Sequence, residues 1–305
     1  MTGQSFKGSK TGQPFIYGLT NNQCVWSQAG VVKPIACINA FDCLGCAFDR
    51  KVQSDFEARG SCEGQPFQDP RPIRMRMLMN QRKCRHMLSG RVVYKLCGHG
   101  YDCVRCPYDQ MLEDNGIQTP LSAPRYDHAS GFKVAQDYYY HHNHTWARVE
   151  YGGRVRVGMD DFALRLLGPQ EKIELPRLGE PVAQNRPQAK ISRGGHTAHP
   201  LSPIDGKVVA VNAKLTSRAD TANHAPYGEG WFMVIQPSNL RRNLKNLLFG
   251  DESMAWMDDE SQRLTSLLSE TSGYRLAATG GEAVSDIVGT VPNADWDRLV
   301  SEFLV

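Results

Sequence analysis

Two stretches of this chain carry four cysteines at one common spacing, and this duplication constrains the fold more than any other feature. Each stretch follows C-x12-C-x5-C-x2-C, and the second copy begins 60 residues after the first. The cysteines of the two copies are Cys24, Cys37, Cys43 and Cys46, then Cys84, Cys97, Cys103 and Cys106. Asp49 and Asp109 also correspond, as do the aromatic residues Phe48 and Tyr108. The spacing therefore predicts a small module that occurs twice.

Four thiolates are the donor set that one tetrahedral zinc ion or one iron–sulfur cluster needs. Within each copy, the C-x2-C pair can face one ion from a tight turn. The C-x12-C span fits a short hairpin that turns at Gly30 or at Gly90. We expect each repeat to close its own site around a metal that contributes folding free energy directly. Zinc and a [4Fe-4S] cluster both stay open, as does an exchange of ligands between the repeats.

Three further groups near the repeats are predicted to lie outside the metal sites. Cys62 does not fit the pattern and is interpreted as a spare or buried thiol. His86 and His99 fall inside the second repeat, but the first repeat has Trp26 and Asn39 at those positions. A ligand that one copy lacks is not expected, so both histidines are predicted to be satisfied surface residues.

The charge and the hydropathy exclude several classes of protein. The formal net charge is +3 over 305 residues, which favours neither a nucleic-acid partner nor a membrane surface. No apolar run of about 18 residues occurs, so no membrane insertion is predicted. The N-terminal segment is polar and lacks the apolar centre of a signal peptide, and we predict a cytoplasmic protein. Thiols stay reduced there, so the cysteines are interpreted as metal ligands rather than disulfides.

Composition divides the chain into five parts. They are a flexible arm over 1–20, the tandem repeats over 21–113, a linker over 114–133, a mainly β domain over 134–255 and a helical extension over 256–305. The glycine pair at 152–153 separates two alternating segments and predicts a β-hairpin. Apolar spacing predicts helices over 240–249 and 253–270, and a last helix that Asn293 caps. Trp296 is expected to anchor the chain end to the β domain.

A series of motifs between about residues 138 and 255 resembles the H-protein of the glycine cleavage system. The motifs are HTW at 144–146, GMDDFA at 158–163, LPRLG at 175–179, PIDGKVVAVN at 203–212 and PYGEGW at 226–231. The resemblance implies an α+β chain whose main part is a β barrel-sandwich hybrid of the lipoyl type with C-terminal helices. Small metal-stapled modules would precede this domain.

The resemblance fails at the residue on which the family depends. H-proteins carry a lipoyl group on one lysine of an exposed hairpin turn. The family's spacing, counted forward from Leu175 and back from Pro203, reaches Gly195 from both sides. Glycine has no amine to acylate, so the resemblance predicts that this chain does not carry lipoate. Lys190, five residues earlier, is the nearest alternative attachment point.

These features together predict a non-catalytic protein. No nucleophile–base pair, phosphate-binding loop or pair of acid–base carboxylates stands out in the sequence. We expect an H-protein-like scaffold or electron-transfer subunit with two four-cysteine metal sites. Its partners would be proteins, as subunits of a redox or glycine cleavage-like complex. The alternative is a working lipoyl carrier that is modified at Lys190.

Overall fold

The computed structural model describes residues 23–28, 32–60, 83–88, 92–99, 103, 106–118, 123–150, 152–272 and 283–305. The predictions for the arm over 1–20, the turns at Gly30 and Gly90, and the thiol of Cys62 fall outside the described residues. No helix in the described part of the chain is both long enough and apolar enough to cross a membrane.

The two cysteine repeats form the same elements at corresponding positions. A short helix follows the first cysteine of each repeat and a longer helix follows each C-x2-C pair. These helices are α1 Val25–Gln28, α2 Ala47–Gly60, α3 Arg85–Leu88 and α4 Pro107–Gln118. The Cys24 amide donates to the Ile35 carbonyl at 2.9 Å, and Cys84 donates to Lys95 at 2.8 Å. Each C-x12-C span therefore folds back on itself, as the spacing predicts.

The rest of the chain is built on antiparallel strands with helices between them. The strands are β1 Tyr126–Ala129, β2 Phe132–Ala135, β3 Tyr139–Tyr140, β4 Thr145–Val149, β5 Val155–Met159, β6 Lys172–Glu174, β7 Pro181–Val182, β8 Lys190–Arg193, β9 His196–Ala198, β10 Gly206–Val211, β11 Met233–Pro237 and β12 Leu248–Phe249. The helices are α5 Asp161–Leu167, α6 Ala213–Ser217, α7 Thr221–His224, α8 Leu240–Leu244, α9 Asp251–Ser272, α10 Ile287–Thr290 and α11 Trp296–Phe303.

The strands of the described residues form antiparallel sheets and no closed barrel, which corrects the barrel part of the predicted barrel-sandwich hybrid. Seven strands pair in the order β12-β3-β4-β5-β11-β10-β7, three pair as β6-β8-β9, and β1 pairs with β2. The edge strands β12 and β7 have two residues each and do not pair with one another. Such short edges leave few ladder hydrogen bonds to close a barrel. The Gly-Gly hairpin prediction is confirmed, because β4 and β5 pair across residues 152–153.

The motifs of the β domain meet in its core. Trp146 is fully buried, and its indole N–H donates to the Met159 carbonyl at 2.8 Å. A Cβ atom at Gly158 would lie 2.6 Å from the Trp146 ring, so only glycine fits beneath this indole. Asp160 caps α5 by accepting from the Ala163 amide at 2.8 Å. The HTW and GMDDFA motifs are thus two halves of one packing unit.

The structure departs from the sequence-based expectation in three segments. The helix predicted over 240–249 ends at Leu244, because Leu248 and Phe249 pair with β3 instead. The last helix is capped by Asp295, which accepts from the Arg298 amide, and not by Asn293. The predicted linker over 114–133 contains the end of α4 and the strand β1. Trp296 is 4% exposed, which confirms its predicted role as an anchor.

Candidate functional site

The cysteines of the first repeat receive hydrogen bonds from nearby backbone amides. The Phe41 amide donates to the Cys37 sulfur at 3.3 Å, from a left-handed backbone with φ of 61°. Cys24 accepts from the amides of Trp26 and Ser27. Burial nevertheless raises the pKa of the Cys24 and Cys37 thiols above the usual value. The local backbone is therefore shaped to support charge on sulfur, while burial opposes that charge.

The second repeat repeats this arrangement around a small cavity. Cys84 accepts from the amides of His86 and Met87, two and three residues on, at the same offsets as Cys24 in the first repeat. The cavity has a volume of about 10 Å³ and is lined by Cys84, Cys97, Cys103 and Cys106 together with Arg85, His86, His99, Tyr108 and Asp109. Burial raises the pKa of Cys103 to about 12. The structure thus brings all four predicted thiols of this repeat to one place.

In the described parts of the chain, no three Cys, His, Asp or Glu side chains have the mutual arrangement of an assembled metal site. The described residues show one cavity that the four thiols of the second repeat share, and electrostatic interactions among the thiols within each repeat. The ligand role predicted for the eight cysteines therefore stays a prediction.

A buried aspartate ties the two helices of each repeat together. Asp49 on α2 accepts from the Trp26 indole at 2.7 Å. Asp109 on α4 accepts from Arg85 Nε at 2.6 Å and lies 2.7 Å from His86 Nε2. His86 is 3% exposed, so its prediction as a surface residue is wrong. Its counterpart in the first repeat is Trp26, which is also buried. A tryptophan at the corresponding position was the sequence signal that His86 would be buried.

The hairpin of β8 and β9 turns at Gly194 and Gly195, and Gly195 is the position at which the sequence predicts the loss of the family's lysine. Arg193 pairs with His196, so Gly194 and Gly195 alone form the turn. Their φ values are 57° and 86°, the left-handed conformations that a two-residue hairpin turn requires. A side chain at Gly195 would meet open space but would carry backbone strain. The local geometry therefore suits glycine better than lysine.

Residues from the C-terminal end of the chain hold both sides of this turn. Arg193 makes two hydrogen bonds to the Asp286 carboxylate, at 2.7 and 2.6 Å. The His196 ring stacks on Trp296 with centroids 5.9 Å apart and lies 3.3 Å from the Asp297 carboxylate. A groove of about 330 Å³ between the turn and this segment is lined by Arg193, Gly194, His196, Val288, Ala294, Asp295 and Trp296. The turn is thus braced by residues that lie far away in the sequence.

Lys190 lies at the other end of the same strand. It is half-buried on β8, where it pairs with Glu174 of β6. The pairing of β8 with β9 begins one residue later, at Ile191, and the turn lies beyond Arg193. Lys190 and Gly195 therefore occupy different local structures, a sheet position and an exposed turn.

His144 carries the main buried charge network of the β domain. Its ring stacks on Phe162 with centroids 4.2 Å apart, and its Nδ1 lies 2.8 Å from Asp160. Its Nε2 faces Glu260 of α9 at 3.7 Å. Burial alone would lower the pKa of His144, but the two carboxylates outweigh burial and hold it above its usual value. The network joins the β domain to the long C-terminal helix.

Comparison with known proteins matches the region that holds these motifs. The family model described as glycine cleavage H-protein matches residues 138–260. The H protein of Xanthomonas campestris pv. campestris strain B100 is 37% identical over 119 residues, which cover 39% of this chain and 90% of that protein. The H protein of Anoxybacillus flavithermus is 36% identical over 119 residues, which cover 39% of this chain and 92% of that protein.

A solved H-protein structure from Mycobacterium marinum is 28% identical, with a TM-score of 0.33, and covers 34% of this chain and 87% of that chain. The curated relatives match across nearly their whole length. The chain therefore belongs to the glycine cleavage H-protein family through residues 138–260. The cysteine repeats and residues 261–305 lie outside the residues that the family model matches.

Sequence reasoning missed the residues that act over long distances. Asp286 is 93 positions from Arg193, and no local pattern links the two residues. Arg85 was not singled out, although it is the position at which the second repeat replaces the valine of the first by a cation. A comparison of the two copies at every aligned position would have found it.

Proposed function

We propose that this chain is an H-protein-like scaffold subunit that carries two metal ions on its cysteine repeats and no lipoyl group. The observation that carries this proposal is the exposed two-glycine turn between β8 and β9, to which the family's spacing assigns the lysine. A swinging arm needs a free amine at an exposed tip, and Gly194 and Gly195 offer none. The bracing of the turn by Asp286 and Trp296 supports a static role for this face.

The chain is expected to stay unmodified when it is expressed with a lipoyl ligase and lipoate. Intact-mass spectrometry would then show the unmodified mass, because no amine stands at the turn. The Xanthomonas campestris H protein, treated in the same way, is the positive control for the ligase. Peptide mapping gives the decisive readout: a lipoyl mass on Lys190 would establish the carrier alternative, and replacement of that residue by arginine would then abolish the modification.

We propose zinc as the metal of the two repeats. Four cysteines that include a C-x2-C pair are a common donor set of structural zinc sites. Backbone amides aimed at Cys24, Cys37 and Cys84 would stabilise thiolates bound to the ion. A zinc role makes the repeats an assembly module, whereas iron–sulfur clusters would make the chain an electron-transfer subunit.

Protein purified without oxygen is expected to be colourless and to hold about two zinc ions per chain, one for each four-thiolate set. Plasma emission spectrometry measures the metal content, and an absorption spectrum is recorded on the same sample. A brown protein with broad absorption near 400 nm and several irons per chain would replace zinc by iron–sulfur. The absence of both metals from fresh protein would contradict the metal sites altogether.

Protein partners follow from membership of the family, whose curated members are named for a multi-component cleavage system. We infer that the scaffold docks on such a partner through the β domain, while the cysteine repeats add a second surface. No group in the described residues pairs a nucleophile with a base beside the hairpin groove. The proposal therefore assigns no catalytic step to this chain.

A further inference from the structure

The first cysteine repeat contacts the β domain at the turn between β4 and β5. The Gly152 amide of this turn donates to the Ala40 carbonyl at 3.1 Å. Ala40 lies between the second and third cysteines of the repeat, yet it is 0% exposed and belongs to the same buried apolar cluster as the core of the β domain. A backbone hydrogen bond and a buried side chain therefore join the two parts of the chain at this turn.

The contact is too close to admit a side chain at Gly153. A Cβ atom there would lie 3.0 Å from the Cβ atom of Asp42 and 3.7 Å from the carbonyl oxygen of Asn39. The backbone of Gly153 also has a φ of 79°, a conformation that favours glycine. Residues 39–42 of the repeat therefore pack directly against the turn.

The segment that packs on the turn has a backbone that needs support from its surroundings. Ala40 and Phe41 both adopt left-handed conformations, with φ of 47° and 61°. Non-glycine residues seldom keep such a conformation unless the neighbouring structure fixes it. Within the segment, the Asn39 side-chain amide donates to the Asp42 carbonyl at 2.9 Å. From outside, the turn of the β domain holds the Ala40 carbonyl.

The same segment positions two of the four cysteines. The Phe41 amide donates to Cys37 Sγ at 3.3 Å. The Phe41 carbonyl accepts from the Cys43 amide at 2.8 Å, which fixes the start of the C-x2-C turn. Because Phe41 follows Ala40 directly, a displacement of Ala40 from the β domain would disturb Cys37 and Cys43 together.

We propose that the β4–β5 turn is a docking surface for residues 39–42 and that it positions the first four-cysteine set. Gly152 and Gly153 are positioning residues that act on the cysteines through this segment. The arrangement of the thiols does not depend on a metal ion, whereas its consequence for metal binding rests on the proposed function. Since coupling between two equilibria is reciprocal, an ion that binds the positioned cysteines must strengthen the docking by the same factor.

The test uses the reduced full-length chain in two forms, one stripped of metal by a chelator and one titrated with zinc. The variant is Gly153→Asn, because asparagine tolerates a left-handed backbone while its side chain would meet Asp42. The matched control is Gly250→Asn, because Gly250 has a φ of 63° and open space around it. Alkylation followed by peptide mapping measures the reactivity of Cys37, with Cys97 of the second repeat as the internal reference.

In the metal-free chain, Cys37 is expected to react about tenfold faster in Gly153→Asn than in wild type, the size expected for one lost hydrogen bond in a buried contact. Cys97 should keep its wild-type rate, and Gly250→Asn should match wild type at both cysteines. A wild-type rate at Cys37 in Gly153→Asn would overturn the docking. An equal rise at Cys97 would also overturn it, because the effect would not be specific to the first repeat.

Hydrogen exchange in β8 and β9 at the wild-type rate shows that the β domain of Gly153→Asn is folded. If these strands lose protection, Gly153→Ala replaces this variant, because it adds only the Cβ atom that meets Asp42. Gly153→Ala is then expected to raise the reactivity of Cys37 by a smaller factor, with Gly250→Ala as its control. A wild-type rate at Cys37 in Gly153→Ala would overturn the docking in that case.

The zinc titration tests the coupling between the docking and the metal ion. Gly153→Asn should lower the zinc affinity of the first repeat about tenfold, measured as protection of Cys37, and leave Cys97 unchanged. In wild type, zinc should slow hydrogen exchange of the Gly152 amide by a similar factor. Equal affinities in the variant and wild type would overturn the coupling. A wild type that binds no zinc would contradict the proposed metal sites, whereas the metal-free alkylation would still decide whether the docking holds.

Discussion

Serine in place of Cys37 is expected to remove one of the two metal ions and to unfold the first repeat. A serine hydroxyl is a poor zinc ligand at neutral pH, and three thiolates leave the site open. Metal binding in small cysteine modules supplies about 10–16 kcal/mol of apparent free energy, which exceeds the stability of most domains. We expect the metal content to fall from about two ions per chain to one, and α2 to lose protection from hydrogen exchange.

The control is Cys62→Ser, the same chemical change at the cysteine outside both sets. It should leave the metal content at the wild-type level. Cys97→Ser should mirror Cys37→Ser in the second repeat, so that the lost protection moves to α4. If Cys37→Ser also lowered the protection of α4 from hydrogen exchange, the repeats would exchange ligands. A full metal content in both serine variants would refute the ligand assignment.

Alanine in place of His144 is expected to lower the free energy of unfolding of the β domain by about 3–5 kcal/mol, the usual cost of stranding one partner of a buried ion pair. Asp160 is fully buried and would lose the imidazole that lies 2.8 Å away. The stacking of the ring on Phe162 would also disappear. Urea unfolding followed by tryptophan fluorescence measures the change. His142→Ala is the matched control, because His142 is an exposed histidine two residues earlier.

The difference in the free energy of unfolding between wild type and His144→Ala is expected to depend on pH. The carboxylates of Asp160 and Glu260 raise the pKa of His144 in the folded state. Its stabilising contribution is therefore complete below the unfolded value of about 6.5 and is lost as pH rises through the raised folded value. The difference in stability between wild type and His144→Ala should shrink on the alkaline side. A difference that stays constant with pH would mean that His144 acts only by packing.

In the N-terminal repeats, the sequence predicted best those features that depend on the spacing of nearby residues. The C-x12-C span implied that each segment folds back, and the amides of Cys24 and Cys84 bond across it as expected. His86 was misjudged because its acceptor, Asp109, lies on the next helix and closes over it. Spacing indicates which residues can meet, whereas burial depends on the element that packs on top.

The β domain shows the same division. The motifs at 144–146 and 158–163 identified the family, and they meet in the core because Trp146 lies over Gly158. The predicted barrel-sandwich hybrid is confirmed only as an H-protein-like fold of antiparallel sheets, since the two-residue strands β7 and β12 leave the seven-stranded sheet open rather than closed into a barrel. The length of an edge strand depends on the tertiary contacts of the loops on either side of it. The motifs in the centre of the sheet therefore do not predict the length of its edge strands.

The cap of the last helix illustrates how local signals compete. Asn293 and Asp295 are both good capping residues, and they lie two positions apart. Asn293 adopts a left-handed backbone with φ of 58°, so Asp295 takes the role. With this start, Trp296 is the first residue of the helix and stacks on His196 of the hairpin.

The sequence alone determined that this chain carries a four-cysteine spacing twice and a domain of the H-protein family over residues 138–260. These properties lie in residue identity and short spacing, which do not depend on the rest of the fold. Only the tertiary structure decided that the chain end braces the two-glycine turn and that Arg85 pairs with Asp109 inside the second repeat. Such pairings join distant residues, and the packing of whole segments selects them among many that local chemistry would allow.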